Sequence, residues 1–212
     1  IEAVAICFIN AYVNGDHETA AMRHLQKRLP DTPISTSSQL LPQIQEFERT
    51  STTVVNAYLR PVVEHYVSTL SDRIRDIGVT APLMIMQSNG GVLPAPLVGA
   101  NPVYIIESGP AAGVVGAQRL GAHLDMRNLM VLDMGGTTAK ASIIEKGEIT
   151  IMPGAEVGMS QMGNRLIQGA GYPIQAPTID IAEVGAGGGS IAWMDAGGGV
   201  HVGPRSAGSE PG

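Results

Sequence analysis

A short apolar segment ends in an aspartate and leads directly into two glycines and two threonines. This feature constrains the fold of the chain more than any other. Residues 129–132 have the length and composition of a strand, and they are followed by Asp133, Gly135, Gly136, Thr137 and Thr138. Glycines let a backbone turn tightly and approach a ligand without a Cβ in the way. Successive N–H groups in such a turn can surround an anion. The segment therefore predicts a phosphate-binding loop at the end of a strand.

The role of Asp133 depends on which structure this turn forms. At the edge of a phosphate site, Asp133 would hold Mg²⁺, usually through water, or orient an attacking water molecule. In an ordinary β-hairpin, the same Gly-Gly turn would bind nothing. The segment is not a P-loop, because the chain has no Gly-x-x-x-x-Gly-Lys-Ser/Thr pattern and Lys140 stands in the wrong place. The turn instead resembles the phosphate loops of the actin, sugar kinase and acetate kinase superfamily.

Strand-like and helix-like segments alternate along the first 133 residues. Apolar runs of strand length lie at residues 4–9, 82–87, 103–106 and 129–132, and residues 34–38 are a plausible short strand. Apolar residues at spacings of three and four predict a long amphipathic helix over residues 51–77, with Pro61 as a kink or a second start. A second helix is predicted from Ser108 to about Leu120, with a close-packing face that includes Gly116 and Leu120. The pattern indicates an α/β fold with a mixed sheet flanked by helices.

Glycine becomes frequent in the last third of the chain, where 15 of the 27 glycines follow residue 150. We predict a hairpin of residues 141–144 and 148–152, and strands at residues 191–194 and 200–202. The expected organisation is an α/β portion over residues 1–125, then a phosphate-loop hairpin and glycine-rich β portion over residues 126–212.

Charge and hydropathy exclude some classes of partner. The net charge of −6 argues against nonspecific nucleic-acid binding, which needs a basic surface. No apolar run reaches the roughly 18 to 20 residues that span a bilayer. A single cysteine, Cys7, cannot form an internal disulfide, so a cytoplasmic location is the simplest expectation.

A second glycine-rich loop follows two acidic residues. Its central residues are Gly187, Gly188, Gly189 and Ser190. They favour contact with a nucleotide or substrate, because the backbone there is accessible; a tight turn between strands is the alternative. Asp180 and Glu183 are close enough to serve one site, and Asp180 is the candidate second catalytic carboxylate. The alternative is that Asp180 caps a turn and Glu183 is solvated.

Three other polar segments have two interpretations each. Thr50 or Ser51 is predicted to cap the long helix, with anion binding as the alternative. Ser88 and Asn89 either face a cleft or only form a turn. The helix start at Ser108 either meets a phosphate or packs closely through the glycines that follow it.

Six stretches together are similar to the hydantoinase A / oxoprolinase family, and they occur in the family's order. They are residues 48–58, 86–91, 108–113, 133–138, 185–192 and 203–208. They cover nearly the whole chain. The resemblance implies an actin-like, ribonuclease H-like ATPase fold, with ATP and Mg²⁺ as cofactors.

The activity implied by this resemblance is ATP-dependent hydrolysis of a cyclic amide of the hydantoin or 5-oxoproline type. Phosphorylation of the carbonyl oxygen makes a poor electrophile reactive. The family also includes subunits of acetone and acetophenone carboxylases, so an ATP-using subunit of such a complex is the first alternative. A non-catalytic module is the second. A hydantoinase B-type partner subunit or domain is also implied.

Two departures from the family pattern affect these expectations. Many members have Thr-Asp where Ala139 and Lys140 stand here. Lys140 could contact a phosphate or an acidic substrate, or could point to solvent. The family's amino-terminal Asp-x-Gly-Gly-Thr loop is not in this sequence, and the chain begins at Ile1. We therefore expect an internal fragment that is inactive alone.

Overall fold

The computed structural model describes residues 1–158 and 171–208. Within them the α-helices are α1 (Asp16–Gln26), α2 (Ser37–Leu40), α3 (Glu46–Asp76), α4 (Ala95–Ala100) and α5 (Ser108–His123), and Pro102–Ile105 forms a 3-10 helix. The strands are β1 (Val4–Ile6), β2 (Ile34–Thr36), β3 (Met84–Met86), β4 (Val92–Pro94), β5 (Leu129–Met134), β6 (Ala139–Glu145), β7 (Glu148–Ile149), β8 (Ile151–Met152), β9 (Ala155–Val157), β10 (Tyr172–Ile174), β11 (Thr178–Ile179), β12 (Ala182–Val184), β13 (Ser190–Met194) and β14 (Val200–Ser206). None of these helices is both long and apolar enough to cross a bilayer.

The strands form small sheets of mixed direction, which confirms the predicted mixed α/β class. β1 and β2 are parallel. The largest sheet within the described residues has the order β12-β6-β5, with β7 added to β6, and all its pairings are antiparallel. β3–β4 and β13–β14 are hairpins.

The long helix α3 packs against β1, β2, α4 and the 3-10 helix. It begins at Glu46, five residues before the predicted start, and runs through Pro61 without beginning again there. The predicted capping by Thr50 or Ser51 is therefore wrong, because both lie inside the helix. Acidic side chains instead occupy its first turn, at Glu46 and Glu48, where they complement the helix dipole.

Residues 103–106 form no strand, so that prediction is wrong. The backbone of this segment forms hydrogen bonds with side chains instead of with a neighbouring strand. The N–H group of Val103 donates to Asn56 Oδ1 at 3.2 Å. The Ser88 hydroxyl lies 2.8 Å from the Tyr104 carbonyl oxygen and 2.6 Å from that of Ile106. An apolar run of strand length thus becomes a 3-10 helix.

Helix α5 covers one face of the β12-β6-β5 sheet. Its buried residues Ala111 and Val114 form a core with Ile144 and Ile179. Gly116 and Leu120 are exposed, so the predicted close-packing face is wrong for these two residues. The helix approaches the sheet at Gly121 instead, where an added Cβ would lie 2.5 Å from Leu129 Cδ1.

The other face of this sheet is apolar and uncovered in the described part of the chain. Its exposed side chains are Met130, Leu132, Met134, Ile143 and Val184. β5 is therefore covered on one face only, whereas its apolar composition predicts a buried strand.

The hairpin predicted around Lys146 and Gly147 is confirmed by the β6–β7 pairing. Both residues have positive φ, as the tight turns of hairpins require. The predicted second strand divides in two, because β7 stays with β6 whereas β8 pairs with β11.

Candidate functional site

The Gly-Gly-Thr-Thr segment forms the tip of the β5–β6 hairpin. The N–H group of Gly135 donates to the Thr138 carbonyl oxygen at 2.9 Å, which closes the turn. Within residues 1–158 and 171–208, no acceptor satisfies the N–H groups of Gly136 and Thr137. The tip therefore carries free backbone donors, which suit phosphate oxygens.

The second glycine-rich loop lies directly on this tip. The N–H group of Gly188 donates to the Gly135 carbonyl oxygen at 2.9 Å, and that of Gly189 donates to the Gly136 carbonyl oxygen at 2.8 Å. The Ser190 hydroxyl accepts a hydrogen bond from the Gly187 N–H group at 3.0 Å. The structure thus brings together the two loops that the sequence separates by about fifty residues.

This contact gives a reason for the glycines that does not require a ligand. A Cβ on Gly189 would lie 3.0 Å from the Gly136 carbonyl oxygen, and one on Gly187 would be closer still to the first loop. What lies against the second loop is the backbone of the first. Nucleotide binding by residues 187–190 remains a prediction.

Charged side chains form a row beneath the two loops. Asp133, Lys140 and Glu183 are cross-strand neighbours on β5, β6 and β12. The Lys140 ammonium is paired with Glu107, the residue before α5, and lies 3.6 Å from Glu183 Oε1. Only 14% of the Lys140 side chain is exposed, so the alternative in which it points to solvent is wrong.

The two glutamates also affect the titration of Lys140. Burial alone would lower the pKa of Lys140. The hydrogen bond and negative charge of Glu107, with a further contribution from Glu183, outweigh burial and raise the pKa above its ordinary value. Lys140 is therefore a cation throughout the neutral pH range.

Asp180 lies between β11 and β12, outside the row that Asp133, Lys140 and Glu183 form. Its N–H group donates to the Thr150 carbonyl oxygen at 2.9 Å, and its carbonyl oxygen accepts from the Ser142 hydroxyl at 2.8 Å. Glu183, and not Asp180, is in register with Lys140. The catalytic role of Asp180 remains a prediction, and the register that singles out Glu183 has no local signal in the sequence.

Two other candidate segments have structural roles. Ser88 is buried, and its hydroxyl is bonded to the 3-10 helix; Asn89 Oδ1 accepts from the Gly91 N–H group at 2.8 Å. These contacts support the turn interpretation. At the start of α5, Glu107 has a left-handed φ of 63° and directs its carboxylate to Lys140. The exposed Gly116 has no atom near its Cβ position in the described residues, so it serves no close packing there.

A buried polar network around Glu18 was not predicted from the sequence. Glu18 is fully buried, and its carboxylate accepts hydrogen bonds from the N–H group of Phe8, the hydroxyl of Ser37 and the N–H group of Ser38, each at 2.7 Å. Burial would raise the pKa of Glu18, but these hydrogen bonds outweigh burial and hold the pKa below its ordinary value. Arg49, also buried, donates to the Phe8 carbonyl oxygen at 2.8 Å. The network fixes α1 and α3 to the end of β1.

A second polar cluster lies at the far end of the β13–β14 hairpin. His201 Nε2 is 2.6 Å from Asp195 Oδ2, and its ring stacks on Trp193 with 4.6 Å between centroids. Asp195 Oδ1 also accepts hydrogen bonds from the N–H groups of Gly197 and Gly199. The cluster therefore explains the glycines of this turn, and it lies away from the two loops.

Asp133 is the candidate for holding Mg²⁺. This residue is exposed near the end of β5, two residues before Gly135 of the tip. In the part of the chain that the structure describes, no three His, Cys, Asp or Glu side chains come together to hold a metal. Binding of Mg²⁺ by Asp133 remains a prediction.

A known protein family matches most of the chain. The family model for hydantoinase/oxoprolinase matches residues 49–212, which include both loops. The chain belongs to this family. The match begins at Arg49, so the network around Arg49 lies at the edge of the family region.

Relatives in this hydantoinase/oxoprolinase family cover the whole chain. The caprolactamase subunit alpha of Pseudomonas jessenii is 39% identical over 216 residues, which are 100% of this chain and 29% of that protein. The 5-oxoprolinase 1 of Arabidopsis thaliana is 32% identical over 213 residues, 100% of this chain and 16% of that protein. The chain thus spans less than a third of these relatives' length.

Two solved structures share the fold. The crystal structure of the ATP-dependent caprolactamase from Pseudomonas jessenii matches with a TM-score of 0.77 and 36% identity, over 100% of this chain and 29% of that one. The nucleotide-free structure of acetone carboxylase matches with a TM-score of 0.76 and 27% identity, over 100% of this chain and 28% of that one. The two scores are nearly equal, so the fold alone does not separate a lactam hydrolase from a ketone carboxylase.

Proposed function

We propose that the complete protein to which this chain belongs hydrolyses a cyclic amide of the hydantoin, 5-oxoproline or lactam type and uses ATP to do so. The observation that carries the proposal is the contact between the two glycine loops. Hydrogen bonds of 2.9 and 2.8 Å join them, and the exposed Asp133 lies two residues before Gly135 in the chain. The arrangement offers a polyphosphate both free N–H donors and a partner for its metal ion.

Each loop has its own part in this proposal. The N–H group of Gly136 and the threonine hydroxyls bind phosphate oxygens, and Asp133 holds Mg²⁺ through water. The loop of residues 187–190 fixes the shape of the first loop through its two hydrogen bonds. ATP supplies the phosphoryl group that converts the amide oxygen into a leaving group. The chain's contribution is to orient that phosphate, because positioning and charge stabilisation carry most of phosphoryl-transfer catalysis.

Sequence identity favours the amide hydrolase over the alternative reaction. Caprolactamase subunit alpha is 39% identical to this chain, whereas the acetone carboxylase structure is 27% identical. An ATP-using subunit of an acetone carboxylase-like complex is the second candidate, supported by the matching fold. A partner subunit of the hydantoinase B type is proposed for either reaction, because the caprolactamase relative is itself named as a subunit.

The test is ATP hydrolysis by the complete protein, with its partner subunit if one copurifies. Phosphate release is measured with Mg²⁺ and hydantoins, 5-oxoproline, caprolactam, or ketones with bicarbonate. The proposal predicts ATP hydrolysis that is stimulated by a cyclic amide, with ring-opened product in equal amount. ATP hydrolysis that is stimulated by a ketone with bicarbonate, and not by any cyclic amide, would favour the carboxylase. A folded protein that neither binds nor hydrolyses ATP would refute both.

A further inference from the structure

The ammonium group of Lys140 connects three segments that are distant in sequence. It lies on β6, two residues after the first loop. Glu183 on β12 lies four residues before Gly187 of the second loop, and Glu107 directly precedes α5. Lys140 is bonded to Glu107 and lies 3.6 Å from Glu183. One cation therefore joins both glycine loops and the start of a helix.

No other ion pair within the described residues joins separate elements in this way. Three of the others, Arg49–Glu46, Arg60–Glu64 and Arg75–Asp72, lie within the single helix α3. The His201–Asp195 pair lies within one hairpin. The Lys140 side chain is also largely shielded from water, so its pairing is screened less than that of an exposed lysine.

The charges around Lys140 give the pairing a consequence for anion binding. Asp133 and Glu183 flank Lys140 in this row, and Glu107 is paired with it. Without a cation, like charges would repel each other and a polyphosphate above them. Glu107 also has a left-handed φ of 63°, a conformation that costs energy in a residue with a side chain. Its bond to Lys140 opposes relaxation of that backbone.

We propose that Lys140 is a positioning residue for nucleotide: its ion pairs with Glu107 and Glu183 hold the two glycine loops and the start of α5 in the arrangement that binds Mg-ATP. The inference rests on the proposed function. It assigns to Lys140 no contact with phosphate, because its ammonium is already engaged on the α5 face of the sheet.

The test is Mg-ATP affinity, measured by titration calorimetry on the complete protein. Lys140→Met and Glu107→Gln should each weaken binding about tenfold, since small displacements of a binding loop have large effects. The conservative variant Lys140→Arg keeps a cation between Glu107 and Glu183 and should retain most of the affinity. Lys27→Met, at an exposed position after α1, is the matched control and should leave affinity unchanged.

Kinetics and thermal unfolding separate positioning from a purely structural role. Positioning predicts a raised KM for ATP at nearly unchanged kcat in Glu107→Gln, with an unfolding temperature like that of the wild type. A lower kcat at unchanged KM would indicate loss of active protein and would overturn the proposal.

Three further outcomes are decisive. Unchanged affinity in either single variant overturns the proposal; if Lys140→Met does not fold, Glu107→Gln still provides this test. Binding by Lys140→Arg that is as weak as that by Lys140→Met would show that a cation paired with Glu107 and Glu183 is not enough to position the loops, which also overturns it. If the wild-type protein binds no Mg-ATP, both the proposed function and this inference fail, whereas failure of the inference alone leaves wild-type binding intact.

Discussion

Gly187 lies so close to Gly135 that a Cβ added to Gly187 would be 2.7 Å from the Gly135 carbonyl oxygen. The same Cβ would lie 2.7 Å from the backbone nitrogen atoms of Thr137 and Thr138. All three are backbone atoms, which cannot rotate away as a flexible side chain can. The two loops are thus packed backbone to backbone.

The first prediction follows from this packing. Gly187→Ala should push the loops apart, lower the free energy of unfolding by about 2 kcal/mol and weaken Mg-ATP binding. Gly188→Ala is the matched control, because the nearest atom to its Cβ would be 3.7 Å away, an ordinary contact. Denaturant unfolding and calorimetric titration of the complete protein measure both effects. Equal behaviour of the two variants would contradict the packing argument.

Asp133 provides a prediction about the metal ion. Asp133→Asn should reduce Mg²⁺-dependent ATP hydrolysis about 10- to 100-fold, because the amide is a poorer partner for Mg²⁺ and its waters. The unfolding temperature should hardly change, since this side chain is exposed. Asp31→Asn, at another exposed aspartate, is the control. Retention of full activity at low Mg²⁺ concentration would remove Asp133 from the site.

The buried carboxylate of Glu18 predicts a pH dependence of stability. Its pKa is lowered in the folded protein from an ordinary value of 4.5, so its stabilising effect is present above that value and is lost as pH falls through the folded pKa. Glu18→Gln should cost about 3 kcal/mol at pH 7, where three hydrogen bonds to a charged acceptor are weakened. Between about pH 5 and pH 3 the difference from the wild type should shrink.

Urea unfolding at several pH values measures the effect of Glu18→Gln. The control is Glu2→Gln, at an exposed glutamate. A difference from the wild type that stays constant down to pH 3 would show that the charge of Glu18 contributes nothing.

Ser88 provides a test of why residues 103–106 are not a strand. Ser88→Ala removes the buried hydroxyl that bonds the Tyr104 and Ile106 carbonyl oxygens, and should cost about 1 to 2 kcal/mol. Hydrogen exchange should become faster at the 3-10 helix. Ser68→Ala, at an exposed position in α3, should have no such effect. An unchanged exchange rate would mean that the hydroxyl does not hold this segment.

The sequence predicts those features whose causes are local. The β5–β6 tip, the α5 helix and the β13–β14 hairpin follow from glycine positions and apolar periodicity, and each is present. The strand prediction for residues 103–106 is wrong because Ser88 and Asn56, which are distant in sequence, form hydrogen bonds with their backbone. Local patterns carry no information about such partners.

Strand pairing explains why the arrangement of the site could not be predicted from the sequence. Both glycine loops are recognisable in the sequence, but their contact is made by hydrogen bonds between residues about fifty positions apart. The register of β12 on β6 decides that Glu183 faces Lys140 and that Asp180 does not. Glu18 and Arg49 lack a local signal too, because their burial depends on how α1 and α3 meet β1.

The β5–β6 ladder pairs Asp133 with Lys140 across a turn of fixed length. Alternate residues of a strand face opposite sides, so one amino acid added to that turn would exchange the two faces of β6. Ala139 or Ala141 would then lie against Glu107. The Lys140 ammonium would lie on the opposite face of the sheet, beside the methionines. Evolution can vary the side chains of this hairpin, but insertions and deletions should be strongly selected against between positions 134 and 139.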